Sequence, residues 1–148
     1  METATMTKLE EMTLDIEQSV DINAPIAEVF KAALHRFGEA NVRPDGEPMQ
    51  MKLEPWAGGR WYRDRGNDIT HLWGHVQVMK PPVLIEVSGP LFMSYPAINH
   101  VELKFHETAS GTRVTLRHRA IGMLEPDHKT GVQSGWGHML DLIKRDLS

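Results

Sequence analysis

The chain contains no cysteine, so it forms no disulfide, builds no thiolate metal site and has no cysteine nucleophile. It also lacks the run of about eighteen apolar residues that a membrane-spanning helix needs, and its first residues have no signal-peptide pattern. Acidic residues outnumber basic ones by 20 to 16, which disfavours nucleic acid as a partner. We therefore expect a cytoplasmic protein that binds no nucleic acid and inserts into no membrane.

Length and periodicity predict a single domain. The 148 residues are enough for one sizeable core. Residues 1–12 are polar and aperiodic and are predicted to form a flexible N-terminal tail, which leaves 13–148 as the domain. A strand is predicted over 13–23 and a helix over 26–37. Six further short strands, in the pattern of an antiparallel meander, are predicted at 49–54, 59–65, 70–80, 83–88, 97–106 and 112–121.

Alternation along these strands predicts which side chains face the core. In the last strand Val114 and Leu116 share the inner face with His118. In the strand over 70–80, alternation leaves Trp73 unassigned, because the tryptophan alternates with valines that also favour the inside. The row predicted to face inward there is Leu72, Gly74, Val76 and Val78.

The chain ends in an amphipathic helix. Its apolar residues recur three or four positions apart and form one stripe, whereas residues 126–131 are predicted only to lead into the helix. Gly135 and Gly137 flank Trp136, and a helical glycine costs about 1 kcal/mol relative to alanine. We interpret these glycines as leaving room around the indole. The stripe consists of Val132, Trp136, Met139, Leu140, Ile143 and Leu147.

Several short motifs occur in a recognisable order along residues 13–147. They are Asn23-Ala24-Pro25 with Val29-Phe30, Trp56 with Gly58-Gly59-Arg60-Trp61, Gly74-His75-Val76 before Pro81-Pro82, the run from Gly111 to Leu116, and Gly135-Trp136 with Leu140. Together they resemble the START-like (SRPBCC) superfamily. Within it, the chain is most similar to small bacterial relatives of the C-terminal domain of the activator of Hsp90 ATPase.

The resemblance implies an α+β helix-grip fold, in which a curved seven-stranded antiparallel sheet wraps around a long C-terminal helix. It also implies a cavity between sheet and helix, which in the superfamily takes lipids, sterols, polyketides or plant hormones, and some members are cyclases or aromatases. The chain has no room for the separate chaperone-binding domain of the eukaryotic co-chaperone. A chaperone partner is accordingly a weaker expectation.

Three functions remain open at this point. The first is the binding of a small hydrophobic or aromatic ligand, lipid- or polyketide-like, in the cavity. The second is a cyclase or aromatase in the same cavity, and the third is a protein-interaction domain like the Hsp90 activator. A homodimer through an exposed Trp73 face is a further possibility. No cofactor is expected. A metal is not expected either, because His71 and His75 lie roughly 13 Å apart on a strand and cannot share one ion, which leaves a cross-strand combination such as His100 with His71 as the alternative.

The candidate site residues are mostly aromatic. His118 is singled out because it shares a strand face with apolar residues, either as a hydrogen-bonded core histidine or as a polar group that orients a ligand. His118 and Tyr62 are also the candidate acid–base residues, since no serine lies in a nucleophile motif. The candidate ligand-binding residues are Phe30, Phe37, Trp56, Trp61, Tyr62, Phe92, Tyr95, Phe105, His118, Trp136 and Leu140.

Overall fold

A computed structural model describes residues 8–148, which contain seven strands and two α-helices. A single 3-10 turn (Leu9–Glu11) precedes them; the first seven residues of the predicted tail lie outside the described residues. The elements are β1 (Thr13–Ile22), α1 (Ile26–Phe37), β2 (Met51–Leu53), β3 (Arg60–Asp64), β4 (Thr70–Lys80), β5 (Leu84–Gly89), β6 (Ala97–Thr108), β7 (Gly111–Gly122) and α2 (Pro126–Asp146).

The seven strands form one curved antiparallel sheet in the order β1-β7-β6-β5-β4-β3-β2. Strands β2 to β7 follow one another as a meander, and the N-terminal strand then pairs along its whole length with β7. Both helices pack against the inner face of this sheet. The predicted helix-grip fold is thereby confirmed.

Strand β4 departs from regular alternation next to β3. Two consecutive residues of β3 pair with Gly74 and Leu72, so Trp73 is the extra residue of a bulge. A bulge reverses which face the following side chains occupy. Trp73 is therefore buried, at 9% exposed, and Leu72 is 43% exposed. The prediction that Leu72 faces inward is wrong, and Trp73 offers no exposed indole through which a homodimer could form.

A second irregularity in β4 lies opposite β5, between Val76 and Val78. Val78 pairs with Glu86, on the face away from the core, and Met79 packs against the core instead. The predicted inward position is right for Val76 and wrong for Val78. Because a bulge depends on local backbone geometry, strict alternation could not reveal either reversal.

Helix α2 begins at Pro126, six residues before Val132, where the apolar stripe starts. Proline suits the first helical position because its missing N–H has no partner there in any case. The prediction that residues 126–131 only lead into the helix is therefore wrong, and Gly131 lies inside it. The buried stripe of α2 rests on β1 and α1, where Arg36 forms a two-point ion pair with Asp146.

Candidate functional site

A pocket of about 490 Å³ lies between α2, the inner face of β3 and β4, and the loop after α1. Its apolar wall contains Trp61, Trp73 and Trp136, all less than a tenth exposed. Arg43 and Asp127 are exposed and lie at its rim. The pocket is thus a cleft beside the terminal helix, closed on the inside by tryptophans and bordered on the outside by charged side chains.

Aromatic rings form a continuous arc along the pocket. Trp136 stacks on Phe37, and Phe37 stacks in turn on Trp61, with ring centroids 5.9 and 5.1 Å apart. Trp61 contacts Trp73 edge to face, and Trp73 contacts Phe92 in the same way. Such offset and edge contacts are the favoured geometries of aromatic pairs. The arc therefore holds the wall of the pocket in a fixed shape.

Two glycines of α2 border the pocket without any packing requirement. A Cβ atom placed on Gly131 or on Gly135 would meet no atom within 4 Å, and both residues line the pocket. Each lies in the helix interior with ordinary helical backbone, where glycine costs about 1 kcal/mol relative to alanine. The interpretation of Gly137 was wrong, because a Cβ there would approach the Gln18 side chain at 3.2 Å. Gly131 and Gly135, four residues apart, are the pair that leaves open space.

His118 lies in the middle of a hydrogen-bonded series that starts at Trp136 in the pocket wall. The indole Nε1–H of Trp136 donates to Nδ1 of His118 over 2.9 Å, and Nε2 of His118 pairs with Oδ1 of Asn99 over 2.6 Å. Asn99 in turn donates to the carbonyls of Gly89 and Pro90. Since Trp136 can only donate and the Asn99 amide nitrogen is occupied, the imidazole is neutral with its hydrogen on Nε2.

The surroundings of His118 favour that neutral form. The side chain is fully buried, and burial, with a smaller effect of His100, lowers the pKa of His118 to about 4. A charged ring would also place an N–H against the indole N–H of Trp136. Both ring nitrogens of His118 are therefore occupied, one by Trp136 and the other by Asn99.

Three histidines, His71, His128 and His138, line the pocket, and the first two each have one ring nitrogen in a side-chain hydrogen bond. Nδ1 of His71 accepts from the indole of Trp73 over 3.3 Å. Nδ1 of His128 lies 2.6 Å from the hydroxyl of Tyr95, which also accepts from the backbone N–H of Glu125. Because the indole of Trp73 can only donate, Nε2 of His71 carries the ring hydrogen and is left as a donor for a ligand.

The predicted site residues fall into three groups. Trp61, Phe92 and Trp136 line the pocket. Phe37, Tyr95 and His118 stand directly behind lining residues and contact them. The remaining five lie elsewhere: Phe30 and Phe105 pair in the core, Leu140 is buried, Trp56 is 58% exposed, and Tyr62 is half-buried under the guanidinium of Arg60.

Several lining residues were not predicted, for different reasons. Trp73 and His71 were hidden by the bulge in β4, and Arg63 and Asn41 lie where a short strand and a loop meet α2. His128 was placed before the helix instead of within its first turns. Gly131 lies four residues before Gly135, which is the spacing of one helix face. Extending the predicted helix to Pro126 would have placed both glycines on that face.

The described part of the chain gives no support to two other classes of site. No three histidine, aspartate or glutamate side chains among residues 8–148 converge in a way that could hold a metal ion. Neither described helix is long and apolar enough to cross a membrane.

The fold and its pocket together define a protein of the helix-grip, START-like class. The family model of "Activator of Hsp90 ATPase homolog 1-like protein" matches residues 23–148. The chain belongs to that family, as the sequence motifs predicted. No curated protein is significantly similar to the chain.

Solved structures agree on the fold. Protein MLL2253 from Mesorhizobium loti is 15% identical with a TM-score of 0.66, covering 88% of this chain and 94% of its own. The AHSA1-like protein from Aeromonas hydrophila is 18% identical with a TM-score of 0.64, covering 89% and 90%. CalU16 from Micromonospora echinospora is 22% identical with a TM-score of 0.62, covering 92% and 76%. At these identities the likeness concerns the fold, which is one suited to hydrophobic ligands.

Proposed function

We propose that this protein binds a small aromatic or otherwise hydrophobic molecule in the pocket between α2, β3 and β4. The observation that carries the proposal is the pair Gly131 and Gly135. None of residues 8–148 fills the space beside them, although alanine at either position would stabilise the helix by about 1 kcal/mol. A helix face kept clear at that cost is explained if another molecule occupies the space.

The size and lining of the pocket fit such an occupant. Its volume of about 490 Å³ lies within the range of small-molecule sites. Apolar surface buried on binding contributes about 25 cal/mol per Å² before the costs of association. Trp61, Trp73 and Trp136 offer faces and edges of fixed orientation, which favours planar ring systems over flexible chains.

His118 supports this function indirectly. By accepting from the indole N–H it satisfies the only polar atom of Trp136 and fixes the ring, so the indole can present an apolar surface to the pocket. His118 itself does not line the pocket in this structure. We therefore propose His118 as a positioning residue and Trp136 as the contact residue.

The test is a titration with N-phenyl-1-naphthylamine, a neutral fluorescent aromatic probe. The variant Gly135→Leu puts a side chain into the open space, and Ser134→Leu adds the same side chain at an exposed neighbouring position that does not line the pocket. We expect saturable binding to the wild type and to Ser134→Leu, with at least about tenfold weaker binding to Gly135→Leu. Equal affinity for all three proteins, or no saturable binding to the wild type, would overturn the proposal.

A further inference from the structure

The charges around the pocket run against those of the whole chain. Acidic residues outnumber basic ones by 20 to 16 overall, yet Arg43 and Arg63 line the pocket against one carboxylate, Asp127. Asp127 lies in the first turn of α2, where a negative charge is favoured by the helix dipole. The fold accounts for the carboxylate, and Arg43 has a counter-charge in Asp45, so the guanidinium of Arg63 is the group that calls for a separate explanation.

Arg63 is the more informative of the two. Its Nε–H donates to the carbonyl of Met49 over 2.8 Å, which fixes the side chain at the pocket. It forms no ion pair with any carboxylate among residues 8–148, whereas Arg43 pairs with Asp45 at an exposed position. Arg63 is only partly exposed, and a partly buried guanidinium without a counter-charge is uncommon. Its two terminal nitrogens are available to an anion.

The other polar groups of the lining also supply donors. Nδ1 of His71 accepts from Trp73, so Nε2–H is the donor that His71 has left, and Nε2 of His128 has no partner among residues 8–148. Asn41 is 6% exposed, and its side-chain amide is bonded to none of the described residues. A ligand with oxygen acceptors would satisfy this set, and a purely apolar ligand would leave it unpaired at a cost in affinity.

From this combination we infer that the ligand of the pocket is an aromatic acid: a planar apolar ring system that carries a carboxylate. The rings lie against the tryptophans, and the carboxylate is bound by Arg63 with help from Nε2–H of His71. A guanidinium matches a carboxylate in two-point geometry, which adds orientation as well as affinity. This inference rests on the proposed function, because it specifies the ligand of the same pocket.

The experiment compares 2-naphthoate with 2-acetonaphthone by isothermal titration calorimetry. The ketone has the same rings and one carbonyl, but a methyl group replaces the charged oxygen. We expect 2-naphthoate to bind about tenfold more tightly or better, and its affinity to fall with added salt while that of the ketone does not. Both measurements use the wild-type protein, so they test the preference for a carboxylate even if a substitution impairs folding.

A pair of variants tests whether Arg63 is the group that binds the carboxylate. Arg63→Gln should reduce the preference for 2-naphthoate by about tenfold. Arg65→Gln, the same change two residues along at an exposed position outside the pocket, should leave the preference intact. Equal affinities of the two compounds for the wild type, or equal effects of the two variants, would overturn the inference and leave the proposed function standing if the ketone still binds. Absence of binding by both compounds would overturn both.

Discussion

Trp136 donates its indole hydrogen to Nδ1 of His118 over 2.9 Å, and this bond joins α2 to β7, the strand beside the edge strand β1. On its far side His118 pairs with Asn99 of β6, so one neutral imidazole connects the helix to two strands. The bond requires Nδ1 to be unprotonated. Trp136 also forms part of the pocket wall, and the same interaction therefore links the stability of the fold to the shape of the site.

The first prediction concerns pH. Since the pKa of His118 is about 4 in the folded protein and about 6.5 when unfolded, the unfolded state binds more protons between these values. The stabilisation that comes from burying His118 in its neutral form is complete above pH 6.5. As the pH falls towards 4, the free energy of unfolding decreases by about 3 kcal/mol. Urea unfolding at pH 7 and pH 4 should show this loss in the wild type and lack it in His118→Gln. The same pH dependence in both proteins would refute the assignment.

The second prediction isolates the indole hydrogen bond. Trp136→Phe keeps an aromatic ring against Phe37 but leaves Nδ1 of His118 buried without a donor, which should lower the free energy of unfolding by about 1–3 kcal/mol. Trp56→Phe is the control, because Trp56 is 58% exposed and its expected change is within about 0.5 kcal/mol. Chemical denaturation of the two variants measures the difference. Equal stability of the two would mean that the bond contributes nothing.

The third prediction separates stability from binding. Gly131→Ala with Gly135→Ala should raise the free energy of unfolding by about 2 kcal/mol, because each new methyl group enters open space and improves the helix. The same methyl groups reduce the pocket, so affinity for N-phenyl-1-naphthylamine should fall. Gly137→Ala should stabilise less, since its Cβ meets the Gln18 side chain at 3.2 Å. A double variant that is less stable than the wild type would show that the folded structure requires glycine at these two positions.

Much of the architecture follows from periodicity. The alternation in β6 and β7 placed Val101, Leu103, Val114 and Leu116 on the inner face, where all four are buried, and it placed His118 beside them. These strands are regular, pair along their full length and face water on one side only, which is the condition under which a period of two is informative. The stripe of α2 was readable for the same reason.

The site was less predictable because it forms where the pattern breaks. Trp73 reaches the pocket through a bulge, and His128 reaches Tyr95 across 33 residues of sequence. Neither a bulge nor a contact between distant segments leaves a periodic signal. Aromatic content pointed to Trp61, Phe92 and Trp136, which line the pocket, but it could not separate them from Phe30 and Phe105, which pack together in the core.

The most direct test of the account uses the four tryptophan indoles as reporters in a two-dimensional ¹H–¹⁵N NMR titration with N-phenyl-1-naphthylamine. Trp61, Trp73 and Trp136 line the pocket, and Trp56 lies outside it on the surface. The indole signals of the three lining residues should shift together with one dissociation constant, while that of Trp56 stays in place. Shifts confined to Trp56, or no saturable shift in any lining residue, would contradict the claim that this pocket binds an aromatic ligand.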